Sequence, residues 1–338
     1  GCELSFPIKP YWLDKMPTNW KEKAVEFTMK ILKNTASGDI MIFVKSAGDA
    51  NMLCGMLDKA MAEYRKTIKA NLAKQSTRKT IKTTSGTSGT SSRKTRKTKS
   101  HQSRQTETHQ SQIIPPEYLI NPICVKLEGS SPKDEQDLAK DEHLYKSMKD
   151  ERGYPYTRKI VITTNVAESS ITVDDIVYII DSGYEYTDSY EPNSRVRSLL
   201  ENTIAQSAVK QRRGRAGRTQ PGYCIHLYSE KEYQQFEEFP IPAIEKSDIT
   251  NDILDLMKLP QSHTVKGVRE LLDEFISPPH EKFIINSLKT LNALGALSQI
   301  TPDGVITPLG YALSRFRSIK VNHARAIIAS HFYGVSRS

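Results

Sequence analysis

The chain has 338 residues, 37% of them hydrophobic and 26% charged, which is ordinary for a globular protein and enough for two compact domains. No apolar run approaches the roughly 18 residues a membrane span needs, and no basic-then-apolar leader is read at the chain's start, so neither a spanning helix nor a secretory signal is expected within these residues. The net charge of +9 belongs to one segment: residues 65–112 hold 13 Lys and Arg against a single acid, Glu107, while the remainder is net −3, so the basic balance does not describe the folded body.

In chain order, IMIFV (40–44) is a short apolar run of the kind that forms a buried parallel strand. From Asp49 to Lys66 the pattern is helical, with Met52, Leu53, Met56, Leu57, Ala60, Met61 and Tyr64 along one face. The stretch that follows, about 67–112, has almost no large apolar residue and reads as a disordered basic insertion. Two readings of it stay open: a tolerated surface insert, or a basic arm that contacts phosphates or carries a localisation signal. Its SGTSGTSSRKT does not fit the phosphate-loop pattern GxxxxGK[ST]. PICVKL (122–127), KIVITT (159–164), IVYIID (176–181) and GYCIHLYS (222–229) are strand-like, and strands alternating with helices imply an α/β domain with a parallel sheet. From about residue 244 helical patterns dominate, followed by a hairpin-like LSQITPDGVIT with turn residues Pro302, Asp303 and Gly304, which together suggest a winged helix. A last helical stretch, VNHARAIIASHFYGV, stops early. The four cysteines, Cys2, Cys54, Cys124 and Cys224, lie far apart with no CxxC or Cys/His cluster, and read as reduced thiols in an intracellular compartment.

Two stretches carry chemistry. TTNVAESSITVDD (163–175) directly follows a buried strand, and open α/β sheets bind ligands at the carboxyl ends of their strands. Its small hydroxyl and amide side chains suit phosphate oxygens, although a plain strand-to-helix loop with a Ser or Asp cap would look much the same. QRRGRAGR (211–218) is more specific. Arginine offers a rigid, permanently charged fork of donors for phosphate oxygens. Gly214 and Gly217 let the backbone come close, and a glutamine can orient an attacking water. A solvated Arg-Gly patch would need no such order.

The pair TTNVAESSIT and QRRGRAGR, about 40 residues apart, resembles motifs V and VI of the DEAH/DExH-box RNA helicases. GDIMIFVKSAGDA (38–50) is similar to their motif IV, with Ser46 and Ala47 where a glycine-glutamine pair is usual. YIIDSGYEYTDSYEPNSRVRSLL (178–200) resembles their β-hairpin region, and EKFIINSLKTLNALGAL with DGVITPLGYAL resembles their winged helix. The resemblance covers nearly the whole chain apart from the insertion. It implies a RecA-like parallel-sheet domain over 1–243, with the insertion at about 67–112, a mostly helical winged-helix domain over 244–316, and the start of a ratchet-like helical domain over 317–338.

Carried over residue by residue, the resemblance implies that Gln211, Arg215 and Arg218 reach the triphosphate of ATP and its attacking water. Gly214 lies against the nucleotide, Ser170 sits near the γ-phosphate and Mg2+, and Thr172 and Asp174 approach the ribose. Thr164 and Asn165 touch the RNA backbone. Arg212 supports its motif or its interdomain contacts, Glu168 and Ser169 brace their loop, and Arg213 has no catalytic role. Where an aromatic commonly stacks on adenine this chain has Leu138 and Ala139, with Tyr145 as the nearest substitute. No GxxxxGK[ST] loop, no DExH or DEAH box and no SAT-like motif occurs. The family keeps those in a first RecA-like domain, so the chain, which starts at Gly1, reads as the C-terminal part of a 3′-to-5′ RNA helicase, inactive without that upstream domain. A stand-alone nucleic-acid-binding module and a DNA-directed helicase of the same superfamily are the competing readings. The location is expected to be cytoplasmic or nuclear, with viral origin open, and no membrane is implied.

Overall fold

In the computed structural model the described residues are 6–83, 115, 118–165, 168, 173, 175–192, 194 and 196–335, the side chains of 75–83 excepted. Their contacts divide into two compact units, residues 1–185 with 203–236, and residues 186–202 with 237–338.

The first unit is built on six parallel strands: β1 (Ile8–Trp12), β2 (Asp39–Phe43), β3 (Pro122–Leu127), β4 (Arg158–Thr163), β5 (Ile176–Asp181) and β8 (Gly222–His226). Their order is β1-β8-β5-β2-β4-β3. The central β2 is buried at all five positions, which is why it runs apolar without alternation from Ile40 to Phe43 after the opening Asp39. Ile40 and Ile42 of β2 pack with Ile160 and Ile162 of β4 beneath α1 (Trp20–Asn34) and the first half of α2 (Ala47–Thr83). Met41 and Phe43 face the other way, with Val161, Ile179, Leu127 and with Ala139 of α3 (Lys133–Lys140). Burying both faces of one strand leaves no freedom of register, and β2 pairs Ile40 with Ile160 and Ile42 with Ile162. The expected α/β class is therefore observed.

Three expectations change. Helix α2 runs through Thr83, so residues 67–83 are helical and not disordered; the rest of the basic insertion, 84–112, lies outside the described residues. Helix propensity explains the extension, because Lys, Ala, Leu and Gln fill six of the seven positions 69–75 and neither Pro nor Gly occurs between Met56 and Thr83. Cys54 and Cys124 form a disulfide, against the expectation of four reduced thiols. Seventy residues separate them in sequence, but α2 crosses the edge strand β3 and brings their Cα atoms to 5.9 Å, within bridging range. Cys224 is buried as a free thiol, and Cys2 lies outside the described residues. The hairpin of β6 (Tyr184–Glu191) and β7 (Val196–Thr203), counted above in residues 1–243, packs largely with the second unit, where Tyr190 stacks on Phe283 at 6.1 Å.

In the second unit, α5 (Thr250–Leu256), α6 (Val265–Asp273), α7 (Glu281–Ala293), α8 (Pro308–Leu313) and α9 (Val321–Phe332) enclose one core that includes Ile253, Val268, Leu288, Leu291 and Ala324. Here α4 denotes Gln206–Arg213 of the first unit. Residues 321 and 324 belong to that core, so α9 packs within this unit. The wing is reduced to bridges: Leu297 opposite Ile306, and Thr264 opposite Val305. Among the described residues no helix is long and apolar enough to cross a membrane.

Candidate nucleotide and nucleic-acid site

Parallel strands all end on the same edge of the sheet, and Thr164, Asn165 and Arg215 lie there. Strand β4 stops at Thr163, whose hydroxyl donates to Leu127 O at 2.8 Å and pins the strand end. Half-buried Thr164 and exposed Asn165 come next. Asn165 O accepts the Glu168 amide at 2.9 Å, which turns the chain back. Val173, buried, marks the far end of this loop. Ser170, Thr172, Asp174 and Ser169 lie outside the described residues.

The basic motif starts on α4 (Gln206–Arg213). Gln211 is exposed on its last turn, and Arg212 points inward with no exposed surface. Gly214 ends the helix at φ −66°, a conformation any residue adopts. Gly217 does require glycine: its φ is +72°, and a Cβ there would meet Ile8 Cγ1 and Phe6 O at 2.8 Å. The second glycine of the motif thus lets the loop pass beside β1. Arg215 and Arg218 are half-buried on this loop. A guanidinium nitrogen of Arg215, Nη2, donates to Glu168 O, so the basic loop is fastened to the loop after β4. Burial and the nearby Arg218 charge both push the Arg215 pKa down, against a smaller pull upward from Glu168. Arg215 Nε has no hydrogen-bond partner among the described residues.

Beneath these arginines lies a buried polar network that sequence reasoning mostly missed. Arg212 Nε donates to Glu168 Oε1 at 2.6 Å, and Arg212 Nη1 to Asp181 Oδ1 at 2.9 Å. The guanidinium carbon also sits 5.0 Å from the centre of the Phe43 ring. Asp181 Oδ2 accepts the Tyr228 hydroxyl at 2.6 Å, and His226 Nδ1 lies 3.0 Å from that hydroxyl oxygen. Trp12 stacks on His226 at 3.9 Å. Burial would raise the Asp181 carboxyl, but the charge of Arg212 and the bonds from His226 and Tyr228 outweigh it and hold the pKa low. Glu168 is raised, because burial exceeds the help it takes from Arg212. The expected supporting role of Arg212 and bracing role of Glu168 have here a single geometry. One signal for the network was legible: β5 and β8 are apolar strands that end on Asp181 and His226, and the register pairs those two residues.

Tyr145 is not available as a base-stacking residue. It is 2% exposed and its hydroxyl donates to Asp39 Oδ1 at 3.0 Å. Asp39 opens β2, so Tyr145 occupies the amino-terminal edge of the sheet, opposite the motif loops. Leu138 is partly buried and Ala139 fully buried against the sheet. Among the described residues no group of three His, Cys, Asp or Glu side chains could hold a metal ion.

Residues 97–220 match the family model of the helicase conserved C-terminal domain, and residues 287–317 match the winged-helix helicase-associated domain HA2. The chain is 41% identical over 157 residues to the DExH-box ATP-dependent RNA helicase DExH6 of Arabidopsis thaliana, covering 46% of this chain and 12% of the relative. It is 35% identical over 180 residues to a Caenorhabditis elegans homolog of the RNA helicase DHX35, covering 53% and 23%. It is 32% identical over 173 residues to the helicase L540 of Acanthamoeba polyphaga mimivirus, covering 51% and 24%. The chain thus spans at most a quarter of the length of these relatives. The crystal structure of the Escherichia coli DEAH/RHA helicase HrpB superposes with a TM-score of 0.65 at 17% identity, over 97% of this chain and 32% of that one. That likeness shows the fold: a RecA-like sheet domain and a helical C-terminal region.

Proposed function

We propose that this chain, which belongs to the DExH/DEAH-box helicases and carries their C-terminal helicase and winged-helix domains, forms one wall of an ATP-hydrolysing cleft that drives movement along RNA. The other wall is a RecA-like domain bearing the phosphate loop and acidic box absent from this sequence. Phosphoryl transfer depends on positioning and charge stabilisation. In this reading Arg215 and Arg218 neutralise the charge that builds on the γ-phosphate, and exposed Gln211 orients the attacking water. Gly214, Ser170, Thr172 and Asp174 line the nucleotide, and Thr164 and Asn165 hold the RNA backbone. Mg2+ neutralises phosphate charge when bound, with ligands mainly from the other wall.

The observation that carries the reading is the bond from Arg215 to Glu168 O. It ties the proposed phosphate sensor to the loop that begins with the proposed RNA contacts three and four residues earlier. Loss of the γ-phosphate removes the anion that holds Arg215. The loop after β4 can then shift with it, which couples hydrolysis to a step toward the 5′ end of the strand. The test is RNA-stimulated ATP hydrolysis by the chain joined to a first RecA-like domain. Arg215→Ala and Arg218→Ala should each lower turnover by about 10³-fold, the range for an arginine finger, with RNA binding retained. Near-normal turnover in both variants would remove the assignment. The chain without that domain is expected to be inactive.

A further inference from the structure

We infer that the projecting half of α2 is a second RNA-backbone contact, placed on the edge of the sheet opposite the motif loops, where it adds affinity without entering the chemistry. This rests on the reading above that RNA is the substrate.

The direction of α2 is fixed by three contacts with β3 and its lead-in. Near the helix start, Asn51 Oδ1 accepts from Lys126 Nζ at 2.9 Å. One turn on, Cys54 is bonded to Cys124. Farther along, Arg65 Nη2 donates to Asn121 Oδ1 at 2.5 Å. The helix therefore descends as the strand ascends, and by Arg65 it has reached the residue just ahead of β3. Everything after Arg65 lies beyond the amino-terminal edge. The helix runs to Thr83, so at 1.5 Å per residue the extension is about 27 Å long. Thr164, Asn165 and Arg215 gather at the carboxyl edge, and these strands are about 20 Å long. No single compact site includes both sets of residues.

Tyr64 is the last described side chain of α2 packed on the apolar cluster under the sheet, and none of residues 66–74 joins a buried apolar cluster. Lys66, Lys69 and Lys74 are exposed. At 3.6 residues per turn they fall within an arc of about 140°, on the side away from Leu57 and Met61. The same helix continues in sequence through Arg78, Lys79 and Lys82, and no acid occurs between Glu63 and Thr83. A helix of this charge repels itself along its length, which an inert spacer has no reason to do. A polyanionic backbone relieves that repulsion and releases its own condensed counterions. The disulfide and the Arg65–Asn121 bond hold the base of the helix against β3. A strand gripped by these lysines is thereby tethered to the same rigid unit as Thr164 and Asn165.

The test measures binding of a single-stranded oligouridylate over a range of salt concentrations, with wild type and with the triple variant Lys66→Gln, Lys69→Gln, Lys74→Gln. ATP turnover at saturating RNA is measured beside it, in the chain joined to the first RecA-like domain. Three lost phosphate contacts should flatten the salt dependence, log K against log salt, by about 2, and weaken binding on the order of 100-fold near 0.1 M salt. Turnover should not change. An unaltered affinity and slope in the triple variant would overturn the inference and leave the ATPase reading standing. Wild-type turnover in Arg215→Ala, with the lysine effect present, would do the reverse. Displacement of RNA by polyglutamate as readily as by unlabelled RNA would assign the helix to an acidic protein and also overturn it, as would loss of turnover in the triple variant.

Discussion

Replacing Arg212 with Met is the most severe test of how the site is held. Arg212 has no exposed surface and bridges Glu168 and Asp181 at 2.6 and 2.9 Å. Met fills much of the volume but leaves two carboxyls in a buried site. Removing one partner of a buried pair costs about 3–5 kcal/mol; about 4 kcal/mol is close to a thousandfold in the folding equilibrium, and a large share of a domain's stability. The pH dependence identifies the cause. In the wild type Asp181 is held below its ordinary value. Its stabilisation is thus complete above the unfolded pKa of about 4 and is lost only as pH falls through the lower folded value. Without Arg212, burial of Asp181 is opposed only by His226 and Tyr228, so its folded carboxyl rises, and the Glu168 carboxyl, already raised, rises further. The variant then keeps its stability below about pH 4 and loses it as pH rises through the raised values. Urea unfolding at pH 5 and pH 7.5 should show a deficit that grows with pH. A deficit under about 1 kcal/mol at pH 7.5, or one equal at both pH values, would refute the reasoning.

Two further outcomes follow from the corrected features. Non-reducing peptide mapping should recover the Cys54–Cys124 link, and Cys54→Ser should lower stability by about 4 kcal/mol, the loop-entropy value for a closure of this length; equal melting of the oxidised wild type and the variant would remove the bond from the folded state. Tyr145→Phe should cost about 1 kcal/mol by stripping a buried bond from Asp39, with nucleotide affinity unchanged. A variant as stable as the wild type would remove that bond from the folded state.

The parallel sheet was legible because β2, β4 and β5 are largely buried on both faces and so carry the apolar stretches IMIF, IVI and IVYII. The motif arginines were legible because a Gly-spaced run of guanidiniums has few other uses. The second glycine illustrates what a pattern conveys and what it hides. The spacing marks Gly217 as special, but only the fold shows that the reason is the passage of Phe6 and Ile8. The disulfide was not legible, since its two cysteines meet only once a helix is laid across an edge strand. Tyr145 failed for the same kind of reason: sequence distance placed it near the nucleotide, and the fold put it at the other end of the strands. Helix α2 past Arg65 failed differently. Judged by burial, a segment that covers no core looks unstructured, yet its residues are good helix formers that continue a helix already nucleated, and nucleation is the costly step.

These features together explain why so much polar material is buried in a domain that could be apolar there. Arg212, Asp181, Glu168 and Tyr228 are costly to desolvate, and apolar residues of equal volume would often be no less stable. What apolar packing does not provide is direction. Each of these groups accepts or donates along a defined line, and the lines run from β8 through β5 to α4 and the loop after β4. Arg215, one turn beyond Arg212, is consequently held by a carbonyl whose own side chain is fixed from below. A half-buried guanidinium supported in this way is oriented before its anion arrives, so little ordering remains to be done when it binds. The lysines of the α2 extension need no such support, because they attract charge without selecting a geometry. On the proposed reading, the contrast between a braced arginine at one edge and exposed lysines at the other is the physical difference between a group that acts in a transition state and groups that only retain the strand.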